Sequence, residues 1–410
     1  MAPKDTSKED RPKPSEIRNV LMMGLVSFFT DFSTEMILGV LPLYIVNNLG
    51  ASRAILGAIE GSAELISYGF RMVSGSLSDK VRKRKIFVLI GYGLSTISKP
   101  FFIIATGWFD AFIVRAVDRI GKGVRTAPRD ALIADSVSES ISGKAFGIHR
   151  TMDQAGAIVG PLVAFAILQI MDIRAVFLFS LIPGAIAVII LLFFVKEVRM
   201  KKLSSTTIFG NIIFLLKRNK PFVILMIFTG IFSLGAFSYS FILLKASDLG
   251  ISQRFMPLVY ATINISYTII GIPSGILADR IGKEKILVIG YIVFALSSIL
   301  MMLFISSNYL YAYLLALIFG VYMGISETVQ RAVIPKYVTA GLRGTAYGIY
   351  NLVSGVCFFA SNITFGYIWD TYNLNLAIFY SLFFSFCAIG GMSIFIKKYS
   401  ISSGQLPSQI

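Results

Sequence analysis

The hydrophobic residues of this chain are gathered into long blocks that short polar stretches separate. A helix that crosses a bilayer needs about 20 consecutive, mostly apolar residues, and about twelve blocks reach that length. They lie near residues 18–47, 54–79, 85–106, 109–133, 143–170, 174–195, 221–246, 254–279, 285–306, 309–333, 343–369 and 374–396. The pattern therefore predicts an all-α membrane protein with about twelve transmembrane helices.

Two other origins of such blocks agree less well with the sequence. The strands of a membrane β-barrel are about ten residues long and alternate between polar and apolar positions, whereas residues 188–195 are all apolar. The first block follows a charged tail and shows no small-residue cleavage site. It is therefore predicted to be a membrane span and not a secretory signal peptide.

The basic residues indicate an orientation in the membrane. The 410 residues include 38 Lys and Arg against 22 Asp and Glu, a formal net charge of +16 that is also typical of nucleic-acid binding. The cations cluster in alternate loops, such as 80–85 after the second block, and at Lys397 and Lys398 after the last. Because short basic loops stay in the cytoplasm, we predict a plasma (inner) membrane protein with both termini cytoplasmic and no nucleic-acid partner.

Three short segments recur in register in the second part of the chain. Segment 75–80 returns as 275–280, segment 49–52 as 249–252, and segment 143–148 as 344–349. Such a repeat indicates two six-helix halves of parallel topology, which commonly flank a substrate site near the membrane midplane. The predicted organisation is a cytoplasmic tail 1–17, an N-terminal bundle 18–196, a cytoplasmic linker 197–220 with an amphipathic helix, a C-terminal bundle 221–398 and a cytoplasmic tail 399–410.

The repeated segment has a Gly-x-Leu-x-Asp-Lys/Arg pattern that resembles the loop between helices two and three of the major facilitator superfamily. The residues that carry this resemblance, called the gate motif below, are Gly75, Asp79, Arg82, Gly275, Asp279, Arg280 and Gly282. The second copy matches better, since Arg82 stands where the pattern has a glycine. We expect its charges to form a latch between cytoplasmic helix ends.

Two further motifs resemble the same superfamily. The stretch from Arg115 to Gly123 is similar to its helix-four motif, and Gly156, Gly160 and Pro161 are similar to the helix-five motif of its proton-driven exporters. Small residues also let neighbouring helices approach closely, so a packing role is the alternative for the helix-five motif. The resemblance implies a secondary transporter that works by alternating access, is not an enzyme and uses no cofactor.

Ionisable residues inside the predicted spans are concentrated in the N-terminal half. Each is costly in a bilayer and usually faces a cavity or a partner, so it is a functional candidate. The positions that repeat Asp31 and Glu35 in the other half are the neutral Ile231 and Gly235. Charges that only supported the fold would occur in both halves. We therefore place the coupling chemistry in the N-terminal half.

Three carboxylates are the candidates for proton coupling, namely Asp31, Glu35 and Asp153. A carboxylate in an apolar cavity takes up a proton more readily, and a nearby arginine opposes that uptake. Competition between a proton and a substrate for one site would drive alternation. Asp31 and Glu35 come first because helix one lines the cavity in the resembled fold. The alternative for each candidate is a structural pair, such as Asp31 with Arg119 or Arg71, or Asp118 with Arg115.

A second set of side chains is predicted to line the substrate cavity. Its members are Glu64, Tyr68, Arg71, Lys99, Arg115, Arg119 and Lys122. Acidic and aromatic groups suit a cationic or neutral drug, whereas arginines and lysines suit carboxylate or phosphate compounds. The favoured prediction is a proton-coupled exporter, an antiporter of a small organic solute or drug. The alternative is a transporter of organic anions that this basic cluster binds.

Other classes of protein find little support. The chain has 1 His and 2 Cys, which is too few for a Cys/His metal site or a disulfide framework, so no metal is expected. The two-half repeat disfavours a pore-forming channel. A receptor with this fold would bind a ligand without moving it in vesicles. We expect a monomer in the lipid bilayer, with a small-molecule substrate and protons as its partners.

Overall fold

The computed structural model describes residues 14–138, 141–198, 208–305 and 308–399. Every regular element in these ranges is a helix, as the hydrophobic blocks predict, and the same ranges contain no β-strand. Most of the two predicted tails, 1–13 and 400–410, and the linker residues 199–207 lie outside the described residues.

The first part of the described chain contains helices α1 to α8. They are α1 (Pro14–Leu38), α2 (Leu41–Leu43), α3 (Arg53–Val81), α4 (Arg84–Ser98), α5 (Trp108–Asp135), α6 (Ser142–Ile170), α7 (Ile173–Phe179) and α8 (Leu181–Phe193). A π-helical turn, Tyr44–Asn48, follows α2, and a 3-10 turn, Lys99–Ile104, extends α4.

The second part contains helices α9 to α16. They are α9 (Ile208–Arg218), α10 (Lys220–Gly235), α11 (Tyr239–Asp248), α12 (Met256–Ile281), α13 (Lys283–Leu303), α14 (Tyr309–Val333), α15 (Arg343–Thr371) and α16 (Leu374–Tyr399). The short α9 lies in the predicted linker. Asn219 then caps α10, since its side chain accepts a hydrogen bond from the backbone N–H of Phe222 at 3.1 Å.

Ten helical segments of the described residues are long and apolar enough to cross a membrane. α3 and α5 are not among them, because both carry several ionisable residues in otherwise apolar helices. The prediction of an all-helical membrane protein is confirmed. The prediction of about twelve spans depends on these two helices and stays a prediction.

The chain divides into two compact units. The first comprises the described residues of 14–51 and 62–198 together with Ser252–Ala261. The second comprises Ser52–Gly61, 208–251 and 262–399. Each unit thus includes one short segment from the other half of the sequence. These segments, 52–61 and 252–261, stand 200 positions apart and are therefore equivalent in the internal repeat.

The two units have different interiors. In the first, apolar side chains from α1, α4, α5 and α8 are buried together, including Met23, Val88 and Leu191. In the second, the interior is aromatic, and the ring of Phe237 lies 4.5 Å from that of Phe365. Aromatic pairs at such distances add to the free energy of burial. The dense cluster of charged side chains belongs to the first unit.

Candidate functional site

The contact between α1 and α6 positions the candidate carboxylates. A β-carbon on Gly156 would overlap the carbonyl oxygen of Phe28, and one on Gly160 would lie 2.7 Å from the carbonyl oxygen of Phe32. Only glycine permits this approach of the two backbones. Pro161 follows directly, inside α6. The residues of the helix-five motif thus lie where two helices pack most closely.

Asp31 of α1 and Asp153 of α6, called the carboxyl pair below, meet at this contact. The two carboxyl groups lie close enough for the charge of Asp153 to act on Asp31. Arg150, one turn earlier on α6, lies 3.3 Å from Asp153, but its own side chain is half exposed. Asp31 forms no salt bridge with Arg119 or Arg71 within the described residues. A structural pairing of Asp31, the alternative that the sequence left open, stays a prediction.

Glu35 lies one turn after Asp31 on α1. The hydroxyl group of Tyr260 donates a hydrogen bond to its carboxylate at 2.5 Å. Tyr260 belongs to Ser252–Ala261, the segment from the second half of the sequence that packs in the first unit. Phe255 of this segment packs on Phe165, with 5.5 Å between the ring centroids. Glu35 is thus one of the groups that anchor this segment.

A cluster of ion pairs surrounds Asp118 in the middle of α5. Its carboxylate lies 3.6 Å from Arg115 and 3.5 Å from Arg119, and it accepts a hydrogen bond from Ser95 on α4. Arg119 also reaches Glu64 of α3 at 3.6 Å. Asp118 and Arg115 therefore form the pair that was the structural alternative. These opposite charges neutralise one another inside the unit.

Lys99 is buried beside the same part of α1. It is 2% exposed, and its ammonium group donates hydrogen bonds to the hydroxyl oxygens of Ser33 at 2.9 Å and Thr34 at 2.8 Å. No carboxylate of the described residues lies within salt-bridge distance of it. These hydrogen bonds connect the 3-10 turn after α4 to the part of α1 that lies between Asp31 and Glu35.

Lys122 and Arg125 follow Arg115 and Arg119 along α5 as further cations. Arg125 is 4% exposed, and its guanidinium lies over the ring of Tyr92 at 4.5 Å. The Nε and Nη1 atoms of Arg125 have no hydrogen-bond partner in the part of the chain that the structure describes. Lys122 forms no salt bridge there either. Both cations lie close enough to Asp31 to interact with its charge.

Two aromatic residues of the first unit make packing contacts. The ring of Tyr68 lies 5.6 Å from the guanidinium of Arg71, a cation–π contact within α3. The buried His149 lies with its Nε2 atom 2.7 Å from the hydroxyl oxygen of Ser27. His149 thus contributes to the packing of α6 against α1.

The first copy of the gate motif lies where α3 meets α4. Arg84 is buried and forms salt bridges with Asp79, at 3.3 Å, and with Asp135 at the end of α5. Arg82 has a φ of +58°, and its backbone N–H bonds to the carbonyl oxygen of Ser78 at 2.9 Å. The turn therefore ends α3 in the left-handed conformation that glycine favours.

The second copy, where α12 meets α13, also has a residue of positive φ after the helix, but its charges differ. Gly282 has a φ of +111°. The buried group is Glu284, which lies 2.7 Å from Lys336 and accepts a hydrogen bond from Tyr337. Burial and the Glu284 carboxylate raise the pKa of Tyr337, so its hydroxyl stays a donor.

The remaining residues of the gate motif have looser contacts. Asp279 pairs with Lys283 at 3.5 Å on the surface. Gly75 faces α5 and Gly275 faces α14. Arg280 forms no salt bridge within the described ranges. The buried charges of the two copies are therefore Arg84 and Glu284, which the motif pattern did not single out.

The partners of the predicted residues are what sequence reasoning missed. Tyr260 was absent from the predicted site, and no local pattern marks it. Arg125 was absent from the predicted cavity residues, although it continues the basic pattern of Arg115, Arg119 and Lys122 at helical spacing. The pair of Glu284 and Lys336 did leave a signal in the repeat. Arg84 and Glu284 stand 200 positions apart, and Asp135 and Lys336 stand 201 apart, which are the two spacings of the repeated segments.

A cavity of about 850 Å³ lies elsewhere in the first unit. The π-helical turn after α2, the turn between α6 and α7 and the residues Gln253 and Arg254 line it. Its size is that of a small-molecule pocket. It contains none of the residues that were predicted to line a substrate cavity.

An all-helical, multi-pass membrane protein with an internal repeat and a buried charge cluster is typical of secondary transporters. The chain belongs to the Major Facilitator Superfamily, whose family model matches residues 23–362. It is therefore a membrane transporter and not an enzyme, and it handles small-molecule substrates in a bilayer.

Individual relatives agree with this assignment. The chain is 35% identical over 360 residues to an uncharacterized MFS-type transporter of Methanocaldococcus jannaschii, covering 86% of this chain and 88% of that protein. It is 29% identical over 288 residues to the multidrug resistance protein MdtG of Proteus mirabilis, covering 66% and 69%. The crystal structure of a POT family transporter in complex with 5-aminolevulinic acid shares the fold with a TM-score of 0.78 at 14% identity, covering 93% and 96%.

Proposed function

We propose that the protein is a proton-coupled exporter, an antiporter that exchanges protons for a small organic solute or drug. The observation that carries this proposal is the carboxyl pair of Asp31 and Asp153. The likeness to a multidrug resistance protein supports export. The basic loops support a plasma (inner) membrane location with both termini cytoplasmic, and we propose a monomer built from bundles 18–196 and 221–398.

The carboxyl pair can hold one proton between its two members. An ionised carboxylate only accepts hydrogen bonds, so two carboxyl groups can bond to each other only when one of them is protonated. Removal of that proton leaves two negative charges side by side, which repel each other. Proton release therefore changes the contact between α1 and α6. The two backbones are closely packed there at Gly156 and Gly160.

Glu35 supplies a second proton-sensitive contact. A hydrogen bond to an ionised carboxylate is stronger than one to its neutral form. The bond from Tyr260 would therefore weaken when Glu35 takes up a proton. A proton bound there would favour the access state in which Ser252–Ala261 is released, because a ligand shifts such an equilibrium by its differential affinity for the two states.

The organic-anion alternative keeps one supporting observation. Lys99, Lys122 and Arg125 have no carboxylate within salt-bridge distance in the described residues, which suits an anionic solute. The two candidates differ in the sign of their linkage to protons. A solute that competes for Asp31 expels the proton, whereas an anion bound beside Asp31 strengthens proton binding.

Proton flux in vesicles tests the proposal. Purified protein is reconstituted with a pH indicator inside, and an outward gradient of ethidium, a cationic dye, is imposed. Exchange predicts that the interior becomes acidic, because protons enter as the dye leaves. Asp31→Asn and Asp153→Asn should each abolish this signal. Asp172→Asn is the matched control, since Asp172 caps α7 outside the charge cluster and asparagine caps a helix equally well.

Unchanged proton flux in both carboxyl-pair variants would refute the proposal. The same vesicles loaded with phenyl phosphate test the alternative. Alkalinisation of the interior as phenyl phosphate leaves, lost in Arg119→Gln, would select the organic-anion transporter instead.

A further inference from the structure

Three cations of the first unit stand apart from its ion pairs. Lys99, Lys122 and Arg125 have no carboxylate within salt-bridge distance among the described residues. The other arginines of α5 are paired, as Arg129 is with Asp130 at 2.9 Å. An unpaired cation is costly inside a membrane protein, so its retention points to a function.

Arg125 shows most directly that a partner is missing. A guanidinium carries five N–H donors in one plane. The Tyr92 ring covers one face of that plane at 4.5 Å, and a ring face cannot satisfy donors at the edge. Nε and Nη1 are buried and without a hydrogen-bond acceptor in the described part of the chain. Buried guanidinium donors of this kind suit the oxygens of a carboxylate or phosphate group.

The surrounding carboxylates are already engaged. Asp153 lies beside Asp31 and pairs with Arg150, and Glu35 accepts a hydrogen bond from Tyr260. The charged groups close to Lys122 or Arg125 are Asp31 of α1, Glu64 of α3, Lys99 after α4 and Arg119 of α5. Glu35 and Asp153 lie close to Asp31, and Asp118 lies close to Lys99. Glu64 and Asp118 are held by Arg119.

We propose that Lys122 and Arg125 form a binding site for an anionic group, with Lys99 adding to its positive field. A planar guanidinium beside a flexible ammonium suits the oxygens of phosphate or carboxylate. The group belongs either to a free inorganic anion or to the transported solute, and the experiment below separates these sources. Only the linkage to protons described next rests on the proposed function.

Anion binding at this site is linked to the carboxyl pair. A negative charge held by Lys122 and Arg125 lies close to Asp31 and favours the protonated form of the pair. By reciprocity, a proton on the pair strengthens anion binding by the same factor. Affinity for the anion should therefore rise as the pH falls. Asp31→Asn should bind the anion but lose most of this pH dependence.

Ligand binding to the purified protein in detergent tests the site. The probes are inorganic phosphate and phenyl phosphate, with benzamide and benzylamine as neutral and cationic counterparts, followed by calorimetry and thermal shift at constant ionic strength. We expect the phosphates to stabilise the parent protein, and affinity to fall at least about tenfold in Lys122→Gln and Arg125→Gln. Arg343→Gln, which removes an exposed arginine at the start of α15, is the control.

The outcomes distinguish a free inorganic anion from the transported solute, and they test the anion site and the proton linkage separately. Equal binding of both phosphates indicates a free inorganic anion, and binding of phenyl phosphate alone indicates the solute. Lys122→Arg should retain binding, which shows that a loss in Lys122→Gln is a loss of charge and not of folding. Failure of both phosphates to stabilise the parent, or equal affinity in Arg125→Gln and Arg343→Gln, would overturn the site. Intact anion binding without pH dependence in the parent would contradict the proton linkage alone.

Discussion

Arg82 has a backbone conformation that glycine adopts easily and that is unfavourable for a residue with a side chain. Its φ of +58° is left-handed, a conformation that costs most L-residues about 1–2 kcal/mol. At the equivalent position of the repeat, Gly282 also follows the end of its helix with a positive φ, of +111°. The sequence pattern predicted a glycine at position 82, and the backbone there does have the form that glycine suits.

Arg82→Gly should therefore stabilise the protein by about 1 kcal/mol. The substitution relieves the strained backbone, and Arg82 forms no salt bridge within the described residues that would be lost. Unfolding in denaturant after purification in detergent measures the change. Lys83→Gly is the matched control, because Lys83 is a neighbouring cation with an ordinary φ of −134°. Equal stability of the two variants would show that the turn at Arg82 is not strained.

At the scale of elements, each half contains an ion pair between the start of one helix and the end of the next, and one member of the pair is buried. Arg84 at the start of α4 pairs with Asp135, and Glu284 at the start of α13 pairs with Lys336. The repeat has thus kept the ion pair and exchanged its signs. Glu284 also suits the positive N-terminal end of its helix, whereas Arg84 opposes that end.

The second pair can be rebuilt in the pattern of the first. Glu284→Arg alone should cost about 3 kcal/mol, because it leaves like charges together at a buried position. Adding Lys336→Asp should recover much of that loss, although the hydrogen bond from Tyr337 is not restored. A double-mutant cycle on unfolding measures the coupling. A double variant no more stable than Glu284→Arg would mean that the two positions do not interact.

The sequence predicted the helices, but it did not predict which residues of different helices contact one another. Long apolar blocks fix helices because the bilayer sets a minimum length for a span, and the gap between α3 and α4 appeared in the sequence as a run of cations. The contact of Asp31 with Asp153 joins residues 122 positions apart, and it depends on how closely Gly156 lets two helices approach. Such a distance in the chain carries no local pattern.

At the scale of the whole molecule, the two units divide their chemistry unequally. The second unit is filled by aromatic side chains such as Phe237 and Phe365, and the first holds the carboxyl pair and the cations around it. The charge asymmetry between the halves was visible in the sequence. Which charges pair with each other was not, and for Asp31 an arginine partner was only the alternative to proton coupling.

The shared proton of the carboxyl pair is the central claim, and infrared spectroscopy tests it without knowledge of the substrate. The carbonyl stretch of a protonated carboxyl group is separate from the bands of ionised carboxylates. We expect the parent protein at neutral pH to show this band, and Asp31→Asn and Asp153→Asn each to lose intensity that Asp172→Asn retains. An unchanged band in both carboxyl-pair variants would contradict the account, since no proton would then be held between Asp31 and Asp153.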